Sequence, residues 1–196
     1  MRHNRIALLS LMVLGLMVAG CSTAPKTEPE RESLADEART TLQRMQDTDA
    51  TLREFLDNSI AYAVFPNVGK GGLVAGGAYG RGIVYQNGAM IGYADITQAT
   101  VGAQVGGQTF SQVVVFQNQD ALDRFKSGKL QLAANASAVA LKTGAGASAK
   151  YTDGVAIFID TRGGLMAEAA VGGQQLTFQA GDNPRENQGV DRVDND

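Results

Sequence analysis

The sequence has very few of the side chains on which most enzyme mechanisms depend. Its 196 residues include one histidine, one cysteine and no tryptophan. The histidine is His3 and the cysteine is Cys21, so the chain beyond residue 21 has neither an imidazole nor a thiol. Histidine-dependent nucleophilic catalysis, thiol catalysis, zinc sites built from His or Cys, and disulfides are therefore excluded for that part of the chain.

An excess of positive charge is also lacking. The chain has 17 basic and 20 acidic residues, and without residues 1–20 it would keep 15 basic residues and a net charge of −5. Proteins that bind nucleic acid normally present a basic surface. We therefore expect no nucleic-acid partner.

The first 20 residues have the three-part pattern of a secretory signal peptide. A basic head ends at Arg5, an apolar run covers residues 6–18, and the small residues Ala19 and Gly20 precede Cys21. The apolar run is shorter than the roughly 20 residues that a membrane-spanning helix needs. The pattern therefore predicts a removable signal peptide over residues 1–20.

The sequence Val18-Ala19-Gly20-Cys21 resembles the bacterial lipobox, in which the cysteine is acylated, with palmitate among the expected chains. Two acyl chains suffice for stable anchoring. Ser22 follows the cysteine, as in Gram-negative lipoproteins of the outer membrane. We expect an outer-membrane lipoprotein that is anchored through Cys21 and faces the periplasm; the alternative is an ordinary signal peptide followed by a chance cysteine.

Composition divides the rest of the chain into three segments. Residues 22–32 contain two prolines and five charges but no large apolar side chain, which is typical of a flexible tether. Residues 181–196 carry five acids and two arginines, which is typical of a disordered acidic tail. The predicted organisation is a signal peptide over 1–20, a lipidated cysteine and tether over 21–32, a folded domain over 33–180, and the tail.

Hydrophobic spacing predicts an α+β fold. An amphipathic helix is expected from an N-cap at Ser33, a second over 51–57, and an inserted helix from Asp120 to Gly128. Short strands are expected at 72–79, 81–86, 89–95, 99–105, 110–116, 137–143, 145–151, 154–160, 164–171 and 174–178. Pro66 is expected to end the run 60–65. These strands predict a mainly antiparallel sheet, either barrel-like or a sandwich.

Glycine is concentrated in one part of the chain. Twelve of the 39 residues from Gly69 to Gly107 are glycine, and alternate positions from 74 to 84 are nearly all glycine, alanine or valine. Such a smooth face would allow an aromatic ring or another layer to approach closely, or the sheet to bend; a bound ligand is the other interpretation. The spacing fits neither a Walker nor a Rossmann phosphate loop.

The carboxylates of the strand region raise the alternative of a hydrolase. Asp95 and Asp160, or Glu168, would have to line one pocket to work as a pair. Asp95 at a strand end and Asp160 at a hairpin turn are also favoured there for conformational reasons, as is the turn residue Asp153. We therefore expect no enzyme activity, no metal and no cofactor.

Several motifs resemble the SYLF-domain family, also called the lipid-binding SYLF or actin-binding type domain. The motifs are Ala61–Gly72 (AYAVFPNVGKGG), Gly76–Gly82 (GGAYGRG), Gly102–Gln108 (GAQVGGQ) and Val113–Phe116 (VVVF). The resemblance covers most of residues 34–178. It implies binding of membrane lipid head groups, and in some members of actin, which we do not expect as a partner of an exported protein.

The residues proposed to bind are basic. Lys70, Arg81, Lys142 and Lys150 would contact an anionic phospholipid or an envelope protein, and Lys70 matches the lysine of the family motif. The predicted function is a non-enzymatic binding module at the membrane. The alternative is a structural, self-assembling envelope component in which the glycine-rich strands or Val113–Phe116 make contacts between copies.

Overall fold

A computed structural model of the protein describes residues 25–72, 75–101, 108–132, 138–140, 145–161 and 173–181. The predictions about the signal peptide, Cys21, Lys142, Glu168 with the strand 164–171, and residues 182–196 of the acidic tail concern residues outside these ranges. The elements in chain order are helices α1 (Glu28–Thr48) and α2 (Thr51–Asp57), strands β1 (Ala61–Gly72), β2 (Ala75–Gln86), β3 (Ala89–Val101) and β4 (Gln108–Phe116), helix α3 (Gln119–Lys126), strand β5 (Val139–Ala140), a 3₁₀ helix (Ala145–Ser148), and strands β6 (Val155–Thr161) and β7 (Gln175–Ala180).

Helix α1 begins earlier than its apolar spacing predicted. Thr27 is the N-cap, and its side chain and that of Glu30 form a reciprocal capping box, with Pro29 in the first turn. A proline is tolerated there because the first helical N–H groups have no partner within the helix. The predicted start at Ser33 is therefore wrong, and residues 28–32, assigned to the tether, are helical.

The other two helices agree with their predictions. Helix α2 covers Thr51–Asp57, the residues expected for it. Helix α3 begins one residue before Asp120 and buries Leu122 and Phe125, and Gly128 follows it at φ +69°. Within the described parts of the chain, no helix is long and apolar enough to cross a membrane.

The described strands form one open sheet in the order β5-β6-β4-β1-β2-β3-β7. All neighbours are antiparallel except β5 and β6, so the predicted α+β fold with a mainly antiparallel sheet is confirmed. Several details differ from the prediction. The described strands form neither a barrel nor a sandwich. Residues 75–86 and 89–101, each divided between two predicted strands, form the single strands β2 and β3. Residues 145–148 form a 3₁₀ helix rather than a strand, and β1 continues through Pro66, which lies at a bulge where its missing N–H breaks no regular ladder.

The sheet is strongly curled. The Nε2 atom of Gln112 on β4 donates to Oε1 of Gln174, just before β7, at 3.0 Å. Three strands separate these two positions, so a flat sheet would hold them about 19 Å apart. We call the side that curls inward the inner face; it packs on α3, whose Phe125 ring lies 4.9 Å from Phe116 and 5.6 Å from Phe178.

The opposite side, here called the outer face, is covered by α1 and α2. Leu34, Ala38 and Met45 of α1 pack with buried residues of the central strands. These are Val64, Ile83, Tyr93, Val113, Val115, Ala156 and Phe158. The sheet is therefore buried on both sides at its centre.

Two glycines of β2 allow close approach on the inner face, as the smooth-face pattern predicted. A Cβ atom at Gly82 would lie 2.6 Å from Cδ1 of Phe65 and 2.5 Å from the carbonyl oxygen of Val64. At Gly80 it would lie 2.8 Å from a methyl carbon of Val68. The smooth face thus makes room for the side chains of β1 at its bulge.

A candidate binding groove between helix α1 and the sheet

Helix α1 is fixed across the outer face by a polar contact near its C-terminal end. Arg44 Nε lies 3.1 Å from the Asp160 carboxylate on β6, and Arg44 donates from Nη2 to the Ser111 hydroxyl on β4 at 3.1 Å. Ser111 is fully buried and donates to the carbonyl oxygen of Pro66 at 2.7 Å. The chain of contacts therefore connects α1 to three strands through the bulge of β1.

A second polar contact lies near the middle of α1. Asn67, which follows Pro66 in the bulge, donates from Nδ2 to Oε2 of Glu37 at 2.8 Å. Because the bulge interrupts the regular alternation, Pro66 can supply an acceptor to Ser111 and Asn67 a donor to Glu37. Pro66 and Asn67 of the Ala61–Gly72 motif therefore help to hold α1 on the sheet.

A groove of about 430 Å³ opens between the N-terminal half of α1 and the sheet. This volume is within the range of small-molecule sites in proteins, which is roughly 300–1,000 Å³. Its helix side is lined by Pro29, Glu30, Ser33, Leu34 and Glu37, and its sheet side by Pro66, Asn67, Tyr79, Gly80 and Arg81. A neighbouring depression lies on the other side of the Glu37–Asn67 contact and includes Thr40 and Arg44.

The groove carries charges of both signs on opposite walls. Glu30 and Glu37 lie on the helix wall and Arg81 on the sheet wall. Hydrogen bonds from the backbone N–H groups of Lys26 and Thr27 lower the pKa of Glu30, and the nearby Arg81 charge adds to this effect. Among the described residues, no carboxylate lies within 4 Å of the Arg81 guanidinium.

Tyr79 forms the outer end of the groove and is unusually exposed for an aromatic residue. Its side chain is 43% exposed, and its hydroxyl donates to Asp95 on β3 at 3.4 Å. Gly69, its partner on β1, has nothing within 4 Å of a Cβ position. The open sheet surface around Tyr79 therefore continues the groove away from α1.

The three proposed basic residues that the structure describes, Lys70, Arg81 and Lys150, do not come together. Arg81 lines the groove, whereas Lys70 pairs with Ala78 and faces the inner side of the sheet, where burial lowers its pKa. Lys70 lies within strand β1, not at a turn. Lys150 is exposed beside Tyr151, whose ring packs on Phe55 of α2. Of the three candidates that the structure describes, Arg81 alone lines the groove.

The other groove residues were missed by sequence reasoning. Glu37 was not proposed as a site residue, and Tyr79 was included only as a member of the Gly76–Gly82 motif. Asn67 belonged to a recognised motif, but its contact with Glu37, 30 positions away, depends on how α1 crosses the sheet. The Thr27–Glu30 capping box could have been identified from the sequence, because the spacing Thr-x-x-Glu is typical of this motif at a helix start.

Two of the alternatives considered from the sequence, an Asp95–Asp160 pair and contacts between copies through Val113–Phe116, do not form. Asp95 and Asp160 lie within β3 and β6, not at turns, with three strands between them. Both are on the convex outer face, where the curl turns side chains away from each other, and they contact different residues, Tyr79 and Arg44. Paired glycosidase carboxylates are about 5–9.5 Å apart, so these two are not a catalytic pair. Val113–Phe116 is fully buried with partners on both sides, which excludes it as a contact between folded copies. Among the described residues, no group of three potential metal ligands is present.

Comparison with known proteins identifies relatives of the chain. Residues 97–186 match the family model described as Ysc84, Las17-binding protein actin regulator. The chain is also 28% identical over 153 residues to beta cell expansion factor A of Aeromonas veronii, an alignment that covers 77% of this chain and 58% of that protein. These matches support the resemblance to the SYLF-domain family that the sequence motifs indicated, including the motif that forms β1.

Proposed function

We propose that the protein is an envelope lipoprotein, anchored in the outer membrane through acylated Cys21, whose SYLF domain binds lipid head groups in the groove beneath α1. The observation that carries the proposal is the groove itself, in which Arg81 faces a cleft of suitable size with apolar walls at Pro29, Leu34 and Pro66. A guanidinium is well suited to phosphate recognition because it offers several donors in one plane. This role requires no chemical step.

The start of α1 supports a position close to the membrane. Pro25 is buried, and its carbonyl oxygen accepts from Nε of Arg31 at 3.3 Å, so the described domain begins there. Three residues lie between Cys21 and Pro25, so four residue steps separate them, which span at most about 14 Å in an extended chain. The groove lies at the same end of α1, so an acylated Cys21 would hold it within reach of head groups.

The anchor is tested by labelling cells that express the full chain with radioactive palmitate. The wild-type protein should be labelled and should fractionate with the outer membrane, whereas a Cys21→Ser variant should lose both properties. Label retained by the variant, or a wild-type protein found in the soluble fraction, would disprove anchoring at this residue.

The binding site is tested by vesicle co-sedimentation of the full chain carrying Cys21→Ser, so that acylation does not contribute. Replacement of Arg81 by Gln should weaken sedimentation about tenfold, which corresponds to about 1.4 kcal/mol. Arg53→Gln is the matched control because Arg53 is exposed on α2, outside the groove. Equal effects of the two substitutions would refute the groove as the site.

A further inference from the structure

The groove differs from a simple anion-binding site because it is lined by two carboxylates, Glu30 and Glu37, as well as by the cation Arg81. Glu30 and Glu37 are two helical turns apart on α1, which is about 10.5 Å along the axis. Both face the groove opposite Arg81, and the charge of Arg81 lies close enough to Glu30 to influence its ionisation. A ligand that fills this space would therefore meet a positive wall and a negative wall together.

The surface that surrounds the groove is acidic. Helix α1 contains six acidic residues, and five of them lie in its first ten residues. The six are Glu28, Glu30, Glu32, Asp36, Glu37 and Asp47. The basic side chains of α1 are Arg31, Arg39 and Arg44, and each one pairs with a carboxylate. A strongly anionic membrane surface would be repelled by this end of α1 at moderate ionic strength.

The donors and acceptors of the helix wall fit a primary ammonium group. Oε2 of Glu37 accepts from Asn67, Oε1 lies 3.4 Å from the Ser33 hydroxyl, and each carboxylate oxygen has a further lone pair. An ammonium can donate up to three hydrogen bonds, which are stronger when the acceptor is charged. A trimethylammonium group has no N–H to donate and would lose these bonds.

We infer that the groove recognises a zwitterionic phosphoethanolamine head group, with the phosphate on Arg81 and the ammonium on the Glu30 and Glu37 side. Charge complementarity carries the assignment, since a ligand with both charges neutralises both walls and an anionic head group neutralises one. The inference rests on the proposed lipid-binding function and specifies its ligand as phosphatidylethanolamine in a membrane.

The experiment uses the full chain carrying Cys21→Ser and vesicles of three compositions. These are phosphatidylcholine alone, and phosphatidylcholine mixed in equal parts with phosphatidylethanolamine or with phosphatidylglycerol. We expect about tenfold stronger binding to the phosphatidylethanolamine vesicles than to either of the others. Soluble O-phosphoethanolamine should compete for this binding, whereas glycerol phosphate should compete weakly.

Substitution of one carboxylate should change the preference rather than abolish binding. Glu37→Gln keeps an oxygen that can accept from Asn67 but removes the charge, so phosphatidylethanolamine binding should fall severalfold and phosphatidylglycerol binding should rise. Glu32→Gln removes an exposed charge of α1 that does not line the groove, and it should leave the ratio of the two unchanged. Circular dichroism of each variant verifies that it is folded.

The outcomes separate this inference from the function on which it rests. Absence of binding to all three vesicles would refute lipid binding itself. Binding that prefers phosphatidylglycerol, or that O-phosphoethanolamine does not reduce, would retain lipid binding and overturn the assignment of the head group. Groove substitutions that alter only the particle size in light scattering would identify a protein–protein surface and overturn both.

Discussion

Alternate residues of strand β2 meet very different surroundings on the two faces of the sheet. Gly80 and Gly82 face inward, where the backbone and side chains of β1 leave no space for a Cβ atom. Tyr79 and Arg81 face outward and line an open groove. The inner face is closed by the curl of the sheet and by α3, whereas the outer face is closed only where α1 and α2 cross it.

The difference shows how alternate positions of one strand can pack in the core and line an open groove. Inward positions contribute packing, and the buried polar pair there, Gln112 and Gln174, satisfies part of its hydrogen bonding internally. Tyr79 and Arg81 remain accessible because Ala38 and Met45, which provide apolar packing between α1 and the sheet, lie beyond the groove. Substitutions on the two faces should therefore differ in kind.

The largest expected effect comes from adding one methyl group to the inner face. Gly82→Ala places a Cβ atom 2.5–2.6 Å from β1 atoms of Val64 and Phe65, so the strands must separate. We expect a loss of about 2–3 kcal/mol in the free energy of unfolding, since overpacking typically costs that much. Urea denaturation followed by circular dichroism measures the change.

The matched substitution on the outer face is Gly69→Ala. Nothing lies within 4 Å of its Cβ position, so the free energy of unfolding should change by no more than about 0.5 kcal/mol. Similar losses at Gly69 and Gly82 would show that the inner face is not the more tightly packed one, and the contrast between the faces would fail.

A smaller effect is expected where α1 is fastened to the sheet. Ser111→Ala removes the donor to the buried Pro66 carbonyl and an acceptor of Arg44. Leaving such groups without partners costs about 1–3 kcal/mol, so we expect a loss of about 1–2 kcal/mol in urea denaturation. Because the contact holds α1 over the groove, vesicle binding should weaken as well.

The control is an ion pair on the exposed side of the same helix. The side chains of Arg39 and Asp36 are 74% and 72% exposed, and exposed pairs contribute between zero and about 1 kcal/mol. Asp36→Ala should therefore leave both stability and vesicle binding nearly unchanged. If it destabilised the protein as much as Ser111→Ala, the buried contact would have no special role.

Sequence alone was sufficient for those parts of the fold that local patterns determine. Helix α2 has the residues expected from its apolar spacing, and the alternation of small residues in β2 correctly indicated close approach by an aromatic ring. The start of α1 was misplaced because proline and charge in residues 25–32 suggested a tether. The capping box at Thr27 outweighs that composition, since it satisfies the first backbone donors.

The groove could not be predicted from the sequence because its two walls are far apart along the chain. Pro66 was expected to end a strand, which is the usual consequence of a missing N–H. The bulge allows the strand to continue through Pro66. The Pro66 carbonyl accepts from Ser111 and the Asn67 amide donates to Glu37, and only the tertiary fold brings these residues together. Lys70 was selected from its motif and its charge, and neither indicates which face of a strand a residue occupies.

The smallest expected effect concerns Lys70, which faces the inner side of the sheet. Burial lowers the pKa of Lys70 from its ordinary value of 10.5, so the charged form is less favourable in the folded than in the unfolded protein. This cost is complete below the folded pKa, and it disappears as the pH rises from the folded pKa to 10.5, because the unfolded state binds more protons in that window. A Lys70→Met variant should therefore gain stability relative to wild type at pH 7, and the gain should shrink as the pH rises toward 10.5.

Tyrosine ionisation affects both proteins alike, and Lys150→Met, an exposed replacement of the same kind, corrects for the added side-chain hydrophobicity. A gain that stays constant or grows over this pH range in thermal unfolding would show that Lys70 is as well solvated as the outward residues, and that the inner face is open at this end of β1.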